Sequence, residues 1–233
     1  MIVITFLQQL SALLSSIEMM LLLGHRGTCS NSSVQENTFA GFDLALSQGC
    51  NGIEFDVRRT KCGSAVICHD AHVGPVKICD CMRDDLPALP TLQEVLQRYR
   101  SRAFLDIEIK VEGVASEVLL ALSEYPPERG YLVSSFGSSV LSELRARSPQ
   151  VPLGFIFKSE HGIGLWRDLP VQYAIPHKTV LTEDLVREVH ERGGNVIVWT
   201  VNDRASMQRF AKWGVDGIIS DETALLGEVC QGS

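Results

Sequence analysis

Glu54 and Asp56 stand two residues apart in a run of strand character, G-I-E-F-D-V at 52–57. Alternation along a strand sends positions i and i+2 to one face, so both carboxylates point one way while Phe55 and Val57 point the other. Two like charges held that close repel unless a cation or a proton lies between them. A turn at 61–64 leads to a second apolar run, Ala65-Val66-Ile67-Cys68, which ends in His69-Asp70. A strand rising, a turn and a strand returning would set His69 beside the carboxylates. That is the pattern of a site rather than of packing.

Asp106-Ile107-Glu108-Ile109-Lys110 repeats the alternation, with Asp106, Glu108 and Lys110 on one face. If that face joins the first, Glu108 completes an oxygen-only set with Glu54 and Asp56. Such a set suits a hard cation, Mg²⁺ or Ca²⁺, better than zinc. The alternative, a surface ion pair between Glu108 and Lys110, fits poorly with a strand that is otherwise apolar. His25 and His69 flank the acidic group, and an imidazole with a pKa of about 6.5 can accept a proton in one step and donate it in another. A lone histidine at a strand end is more often structural; two beside acid or arginine point to catalysis. Arg26 and Lys110 supply positive charge for an anion, and a guanidinium fork matches phosphate geometry. A cation, an arginine and a lysine together stabilise charge developing on a phosphoryl group.

These residues need elements to carry them. Short apolar runs at 20–24, 52–57, 104–109, 131–134, 153–157, 173–175, 196–201 and 217–219 read as eight parallel strands. Helical periodicity fills the gaps at 39–48, 92–100, 114–125, 140–147, 183–192 and 204–213. Thr91, Thr182 and Asn202 or Asp203 stand as caps, with Glu94 completing a capping box. The segment 159–168, broken by glycine, predicts no more than a helical turn or two, and 71–90, with three prolines, predicts irregular chain. Eight strand–helix units with no GxGxxG loop predict an α/β fold, a single (β/α)8 TIM barrel over 21–229. A short hairpin excursion follows the second strand, and an extra N-terminal helix over 1–17 closes the bottom. Barrel sites lie at the C-terminal strand ends. There the sequence places His25 and Arg26, Glu54 and Asp56, Glu108 and Lys110, Lys158, His177 and Lys178, and Trp199 and Asn202.

A chain of 233 residues, 45% apolar, can bury one large core, which favours a single domain across 1–233. A net charge of −7 and a pI near 5.4 argue against a nucleic-acid footprint. Seven scattered cysteines, an odd number without CxxC pairs, favour reduced thiols and a cytoplasmic setting. Cys79 and Cys81 near His69 and His72 could suggest zinc, but their spacing is too close for a structural site. Residues 2–23 are apolar, yet they lack the basic start of a signal peptide and are broken by polar side chains, so no stable membrane insertion is expected. Trp166 and Trp213 read as packing, His161 and His190 as solvated.

G-H-R-G at 24–27, E-N-T at 36–38, G-I-E-F-D-V at 52–57, C-H-D at 68–70 and D-I-E-I-K at 106–110 resemble the glycerophosphodiester phosphodiesterases, a family of phospholipase-C-like phosphodiesterase barrels. S-S-F at 134–136, V-W-T-V-N at 198–202 and G-V-D-G-I-I-S-D at 214–221 extend the likeness over nearly the whole chain from residue 21. The resemblance implies a hydrolase that uses one divalent cation to split glycerophosphodiesters into an alcohol and sn-glycerol 3-phosphate. It makes His25 and His69 the acid/base pair and Glu54, Asp56 and Glu108 the metal ligands. It makes Arg26 and Lys110 phosphate contacts, Trp199 a substrate wall, and Glu36 and Asn37 supporting residues. Gln35 stands where the family usually has proline, the closing S-D-E-T lacks the family's frequent proline, and residues 71–89 form a short loop in place of an inserted cap, which implies an open pocket.

Two other functions compete. A lysophospholipase D or sphingomyelinase-D-like lipid phosphodiesterase would use the same residues, and the short loop leaves room for acyl chains. A catalytically idle phosphate-binding barrel would be expected to have lost part of the set of two histidines and three carboxylates. The expected partner is a small-molecule diester, with no nucleic acid, and the expected assembly is a monomer or homodimer.

Overall fold

The computed structural model describes residues 20–30 and 33–231. The helix expected over 1–17 lies outside the described residues. Eight parallel strands close into a barrel: β1 (Leu21–Gly24), β2 (Gly52–Arg59), β6 (Phe104–Ile109), β7 (Tyr131–Ser135), β8 (Leu153–Phe157), β9 (Tyr173–Pro176), β10 (Asn195–Val198) and β11 (Gly217–Ser220). β1 pairs with both β11 and β2, which shuts the cylinder. The strand β3 (Ala65–Ile67) folds back antiparallel on β2, Val57 opposite Ile67, and forms the expected excursion.

Helices wrap the outside: α1 (Phe39–Ser47), α2 (Leu92–Tyr99), α3 (Ala115–Glu124), α4 (Ser138–Arg147), α5 (Glu160–Asp168), α6 (Glu183–Glu191), α7 (Arg204–Lys212) and α8 (Thr223–Gln231). The starts follow local chemistry. Thr91 and Glu94 form the expected capping box on α2, whose Leu92, Val95, Leu96 and Tyr99 then bury one stripe. Thr182 caps α6, and Asp203 rather than Asn202 caps α7.

Two sequence expectations change. Residues 159–168 hold a nine-residue helix, not a turn or two: Ser159 caps it, accepting from the Gly162 amide, and Gly162 lies flush against Phe157 where a Cβ would stand 2.4 Å from the Phe157 Cβ. Residues 71–90 are less irregular than expected, with a small hairpin (β4, His72–Val73; β5, Val76–Lys77) and two short 3-10 turns at Ile78–Asp80 and Arg83–Asp85. Among the described residues no helix is long and apolar enough to cross a membrane.

The barrel interior explains where the chemistry sits. Leu23, Phe104, Leu132, Ile156, Ile175, Ile197 and Ile219, one from each strand except β2, form a separate buried cluster that plugs the cylinder. Two residues further along the chain from each, on the same face, stand His25, Asp106, Ser134, Lys158, His177, Trp199 and Asp221. The apolar floor thus carries a polar ring at the C-terminal rim. β2 contributes Glu54 and Asp56 to the same space, with Glu54 beside Asp106 and Asp56 beside Glu108 in the β2–β6 register.

Candidate active site

The turn after β1 is shaped by its glycines. A Cβ on Gly24 would stand 2.1 Å from the Gly27 carbonyl oxygen, and Gly27 has φ +85°, where a Cβ would stand 2.6 Å from the Gly41 carbonyl carbon. Between them Arg26 takes a left-handed conformation, φ 52°, which a long side chain rarely adopts. That bend turns the Arg26 amide inward, where it donates to Glu54 Oε2 at 2.9 Å. The Arg26 guanidinium donates from Nη1 to both oxygens of Glu36 at 3.0 and 3.1 Å and lies 3.4 Å from Asp56 Oδ2. Glu36 therefore holds the arginine and does not orient His25.

Asn37, also left-handed at φ 55°, locks Asp56 in both directions. Its Nδ2 donates to Asp56 Oδ2 at 2.8 Å, and the Asp56 amide donates to Asn37 Oδ1 at 3.2 Å. Lys110 Nζ donates to Glu108 Oε1 at 2.6 Å and lies 3.3 Å from Asp56 Oδ1. Ligand atoms of Glu54, Asp56 and Glu108 all fall within 4.8 Å of one another, and all three residues are buried.

Such crowding distorts their acidity. Burial, then the charges of Asp56, Glu108 and Asp106, push the Glu54 carboxyl well above the usual carboxylate range. Burial raises Glu108 as well, against the opposing pull of the Lys110 ammonium. Lys110 itself is raised: burial would lower it, but Glu108 and Asp56 outweigh that. Glu54 Oε1 is buried with no hydrogen-bond partner among the described residues. A buried, unpaired carboxylate oxygen facing two further carboxylates fits a hard divalent cation, which would satisfy all three at once. Asp106 sits one step lower, fully buried, with Ser134 Oγ donating to it at 2.5 Å, and burial pushes its carboxyl up to about 7.

His25 and His69 line one cavity of about 260 Å³ together with Arg26, Glu54, Glu108 and Lys110. The hairpin delivers His69: the Cys68 amide donates to the Asp56 carbonyl at 3.0 Å, and Arg58 Nε donates to the His69 carbonyl at 2.8 Å. His69 Nδ1 is 2.8 Å from Asp70 Oδ1. His25 Nδ1 is 2.7 Å from Asp221 Oδ1, and its Nε2 is 3.9 Å from Glu54 Oε2. Burial would raise Asp221, yet the hydrogen bonds and charge it receives from His25, with Asn202, hold it down at about 2. Asn202 donates from Nδ2 to Asp221 Oδ2 at 2.6 Å and accepts from the Asp221 amide at 3.0 Å.

The opposite wall is apolar. Trp199 donates from Nε1 to the Ile175 carbonyl at 3.0 Å, which fixes its plane, and meets Phe136 and His177 edge-on at 5.4 and 5.0 Å between ring centroids. Lys158 stands at the rim of the same cavity.

Of the site residues named from the sequence, His25, Arg26, Glu54, His69, Glu108, Lys110, Lys158 and Trp199 line this cavity, Glu36 and Asp56 contact Arg26 behind it, and Asn37 holds Asp56. Phe136 lines it as well and Asp221 braces His25 from behind, with no role foreseen for either, while Asn202, expected at the rim, holds Asp221. Two-residue steps lead from Leu132 through Ser134 to Phe136 and from Ile219 to Asp221, but only the closed barrel shows that these steps end at the site. Cys79 is exposed and the Cys81 thiol donates to the Lys77 carbonyl, and neither joins a metal-like cluster among the described residues. Trp166 and Trp213 pack against the core as expected, whereas His190 is not merely solvated, since it meets Asp216 at 2.8 Å.

Residues 25–81 and 79–225 match the family described as the glycerophosphoryl diester phosphodiesterase family. A glycerophosphodiester phosphodiesterase of Caldanaerobacter subterraneus is 30% identical over 88% of this chain and 96% of its own length. The crystal structure of a glycerophosphodiester phosphodiesterase from Thermotoga maritima superposes with a TM-score of 0.78 at 26% identity, over 90% of this chain and 98% of that one. An Oleispira antarctica phosphodiesterase in complex with the product sn-glycerol-3-phosphate has the same fold, with a TM-score of 0.80 at 22% identity over 91% and 97% of the two chains.

Proposed function

Because this chain belongs to the glycerophosphoryl diester phosphodiesterase family, we propose that it is a phosphoric diester hydrolase that splits glycerophosphodiesters into an alcohol and sn-glycerol 3-phosphate. The observation that carries this reading is the convergence of His25, His69, Arg26 and Lys110 with the buried carboxylates on one cavity. Glu54, Asp56 and Glu108 would hold one Mg²⁺ or Ca²⁺, which when bound supplies Lewis-acid stabilisation of the charge that develops on the phosphoryl oxygens.

The protein's own groups divide the remaining work. Arg26 and Lys110 face the phosphate and orient it. Asp221 accepts the Nδ1 proton of His25, which leaves Nε2 with a free lone pair on the cavity side. His25 then takes the proton of the glycerol hydroxyl next to the ester, and that oxygen attacks phosphorus. His69, across the cavity and more open to solvent, gives a proton to the departing alcohol. Water opens the resulting cyclic phosphate with the two histidines in reversed roles. Trp199 and Phe136 form the wall against which the organic part of the substrate rests.

A second reading, cleavage of lysophospholipids, draws on Phe136, an exposed aromatic side chain at the apolar side of the cavity that an acyl chain could cover. Phosphodiester cleavage of glycerophosphocholine and lysophosphatidylcholine, measured with Mg²⁺, Ca²⁺ or EDTA, decides between the two. Turnover of the deacylated diester supports the first reading, turnover of the acylated one alone supports the second, and silence on both removes the enzymatic reading. His25→Ala and His69→Ala are each expected to lower kcat by about 10²–10⁴-fold. The unpaired state of all seven cysteines supports a reducing, cytoplasmic setting.

A further inference from the structure

His25 has two edges. Nε2 faces the carboxylate cluster, while Nδ1 faces away, toward Asp221 and Cys29. On that outer edge, ligand atoms of His25, Cys29 and Asp221 all lie within 4.8 Å of one another. The Cys29 thiol is 3.4 Å from the His25 carbonyl oxygen and 3.4 Å from Glu36 Oε2, and donates to each. Its neighbour Thr28 is buried and donates from Oγ1 to the Asp221 carbonyl at 3.1 Å, so the turn that carries Cys29 is tied to the residue opposite it.

We propose that Cys29, His25 and Asp221 form a second metal site, one that takes a thiophilic divalent ion of the Zn²⁺ class, and that filling it switches the diesterase off. The donor set is an imidazole, a thiolate and a carboxylate, with Glu36 Oε2 3.4 Å from the sulfur adding negative charge beside it. This set differs in kind from the oxygen-only cluster on the other edge of the ring. Sulfur and imidazole select zinc or cadmium, whereas carboxylates alone select magnesium or calcium. Burial, then the charges of Asp221 and Glu36, hold the Cys29 thiol far above its ordinary pKa. The same negative surroundings that oppose a thiolate favour a cation placed beside it.

The proton balance shows why occupancy is inhibitory. With the imidazole proton on Nδ1, directed at Asp221, Nε2 is the free base. A zinc ion bound at Nδ1 moves that proton to Nε2 and releases the thiol proton of Cys29 to solvent. An imidazole with its proton on Nε2 cannot accept another from a substrate hydroxyl at that atom. Ligation also removes Asp221 from its hydrogen bond to the ring. The hard cation and the thiophilic one can therefore be bound together, with opposite consequences for turnover.

The test titrates the full chain, saturated with Mg²⁺, with Zn²⁺ and separately with Cd²⁺. We expect inhibition that excess Mg²⁺ does not relieve, and an ultraviolet thiolate-to-metal charge-transfer band with Cd²⁺. In Cys29→Ser we expect basal turnover within about twofold of the parent, a half-inhibitory Zn²⁺ concentration raised at least ~10-fold, and loss of the band. Carrying Cys62→Ser and Cys79→Ser in both proteins removes the exposed thiols from the signal. Equal Zn²⁺ sensitivity in Cys29→Ser, relief by Mg²⁺, or a band that survives the substitution overturns the site. The inhibitory half of the proposal rests on the diesterase reading; the charge-transfer band does not, so a chain silent on every diester still reports whether the site binds metal.

Discussion

His25 Nδ1 and Asp221 Oδ1, 196 positions apart in the chain, meet at 2.7 Å across the seam where the last strand returns to the first. A carboxylate at that distance favours the tautomer with its proton on Nδ1, which leaves Nε2 toward the carboxylate cluster. Asn202 holds the far oxygen of the same carboxylate, so the imidazole is braced through two residues.

From this brace follows the first prediction. Asp221→Ala leaves His25 free to rotate and to exchange tautomers. Its kcat is expected to fall by roughly 10²-fold or more while KM changes little, because Arg26 and Lys110, the proposed phosphate contacts, are untouched. Steady-state kinetics alongside a thermal melt checks it. A proportional loss of folded protein would instead assign the effect to structure.

The carboxylate cluster gives a prediction with two opposite signs. Glu54→Gln removes a buried like charge from beside Asp56 and Glu108, so in EDTA the variant is expected to melt higher than the parent. Each kcal/mol gained is worth about 2–4 °C in a chain of this size. The same change removes a proposed metal ligand and is expected to abolish both the thermal shift on adding Mg²⁺ or Ca²⁺ and the activity. A variant less stable than its parent in EDTA would show that Glu54 is better satisfied than its unpartnered oxygen indicates.

Metal binding is expected to tighten as pH rises. The Glu54 and Glu108 carboxyls are both held above the usual carboxylate range, so in mildly acidic solution a proton competes for their oxygens. Where one proton is displaced per ion bound, the dissociation constant falls by about tenfold per pH unit, and it levels off once both groups are ionised without the metal. Calorimetric titration of the metal-free protein at a series of pH values measures that slope. A flat profile from pH 5 to pH 8 would contradict the burial argument.

Asp106 makes a separate statement about stability. Its carboxyl titrates near 7 in the fold, pushed up by burial, against about 4 in an unfolded chain. The fold therefore gains from Asp106 below the unfolded pKa, and that contribution is lost as pH rises through about 7. Asp106→Asn cannot ionise and still accepts from Ser134. The parent, melted in EDTA, is expected to lose up to ~4 kcal/mol relative to the variant between pH 4 and pH 8. Parallel melts at the two pH values give the difference directly.

The parts of this site that could be read from the chain were those governed by local periodicity. Glu54, Asp56 and Glu108 share a face because strands alternate, and that rule needs no tertiary information. The eight strands were visible for the same reason, being short apolar runs bounded by glycine or polar residues. Asp221 was not legible, because nothing in the sequence near it says that a histidine from the first strand will stand alongside. Closure of the cylinder creates that contact. Residues 160–168 were hidden differently. Gly162 and Gly164 lower helix propensity, but Gly162 is what lets this helix lie against Phe157, so packing overrides propensity. Asn202 was read as a possible cap because its neighbour Asp203 has the same chemistry; the barrel uses the first for the site and the second for the helix.

Arg26 and Asn37 share an uncommon backbone conformation, and the Asn37 amide donates to the Arg26 carbonyl at 2.9 Å. Each residue hands one polar group to the acidic cluster, the first to Glu54 and the second to Asp56. The two contorted residues thus clasp one another, and the tension of both bends is set when the polypeptide first matures. On the proposed reading, the loop is already bent before any anion reaches it. Glycine in place of Asn37 would ease the contortion while discarding the side-chain grip on Asp56, whereas glycine in place of Arg26 would keep the amide that holds Glu54 and lose only the guanidinium.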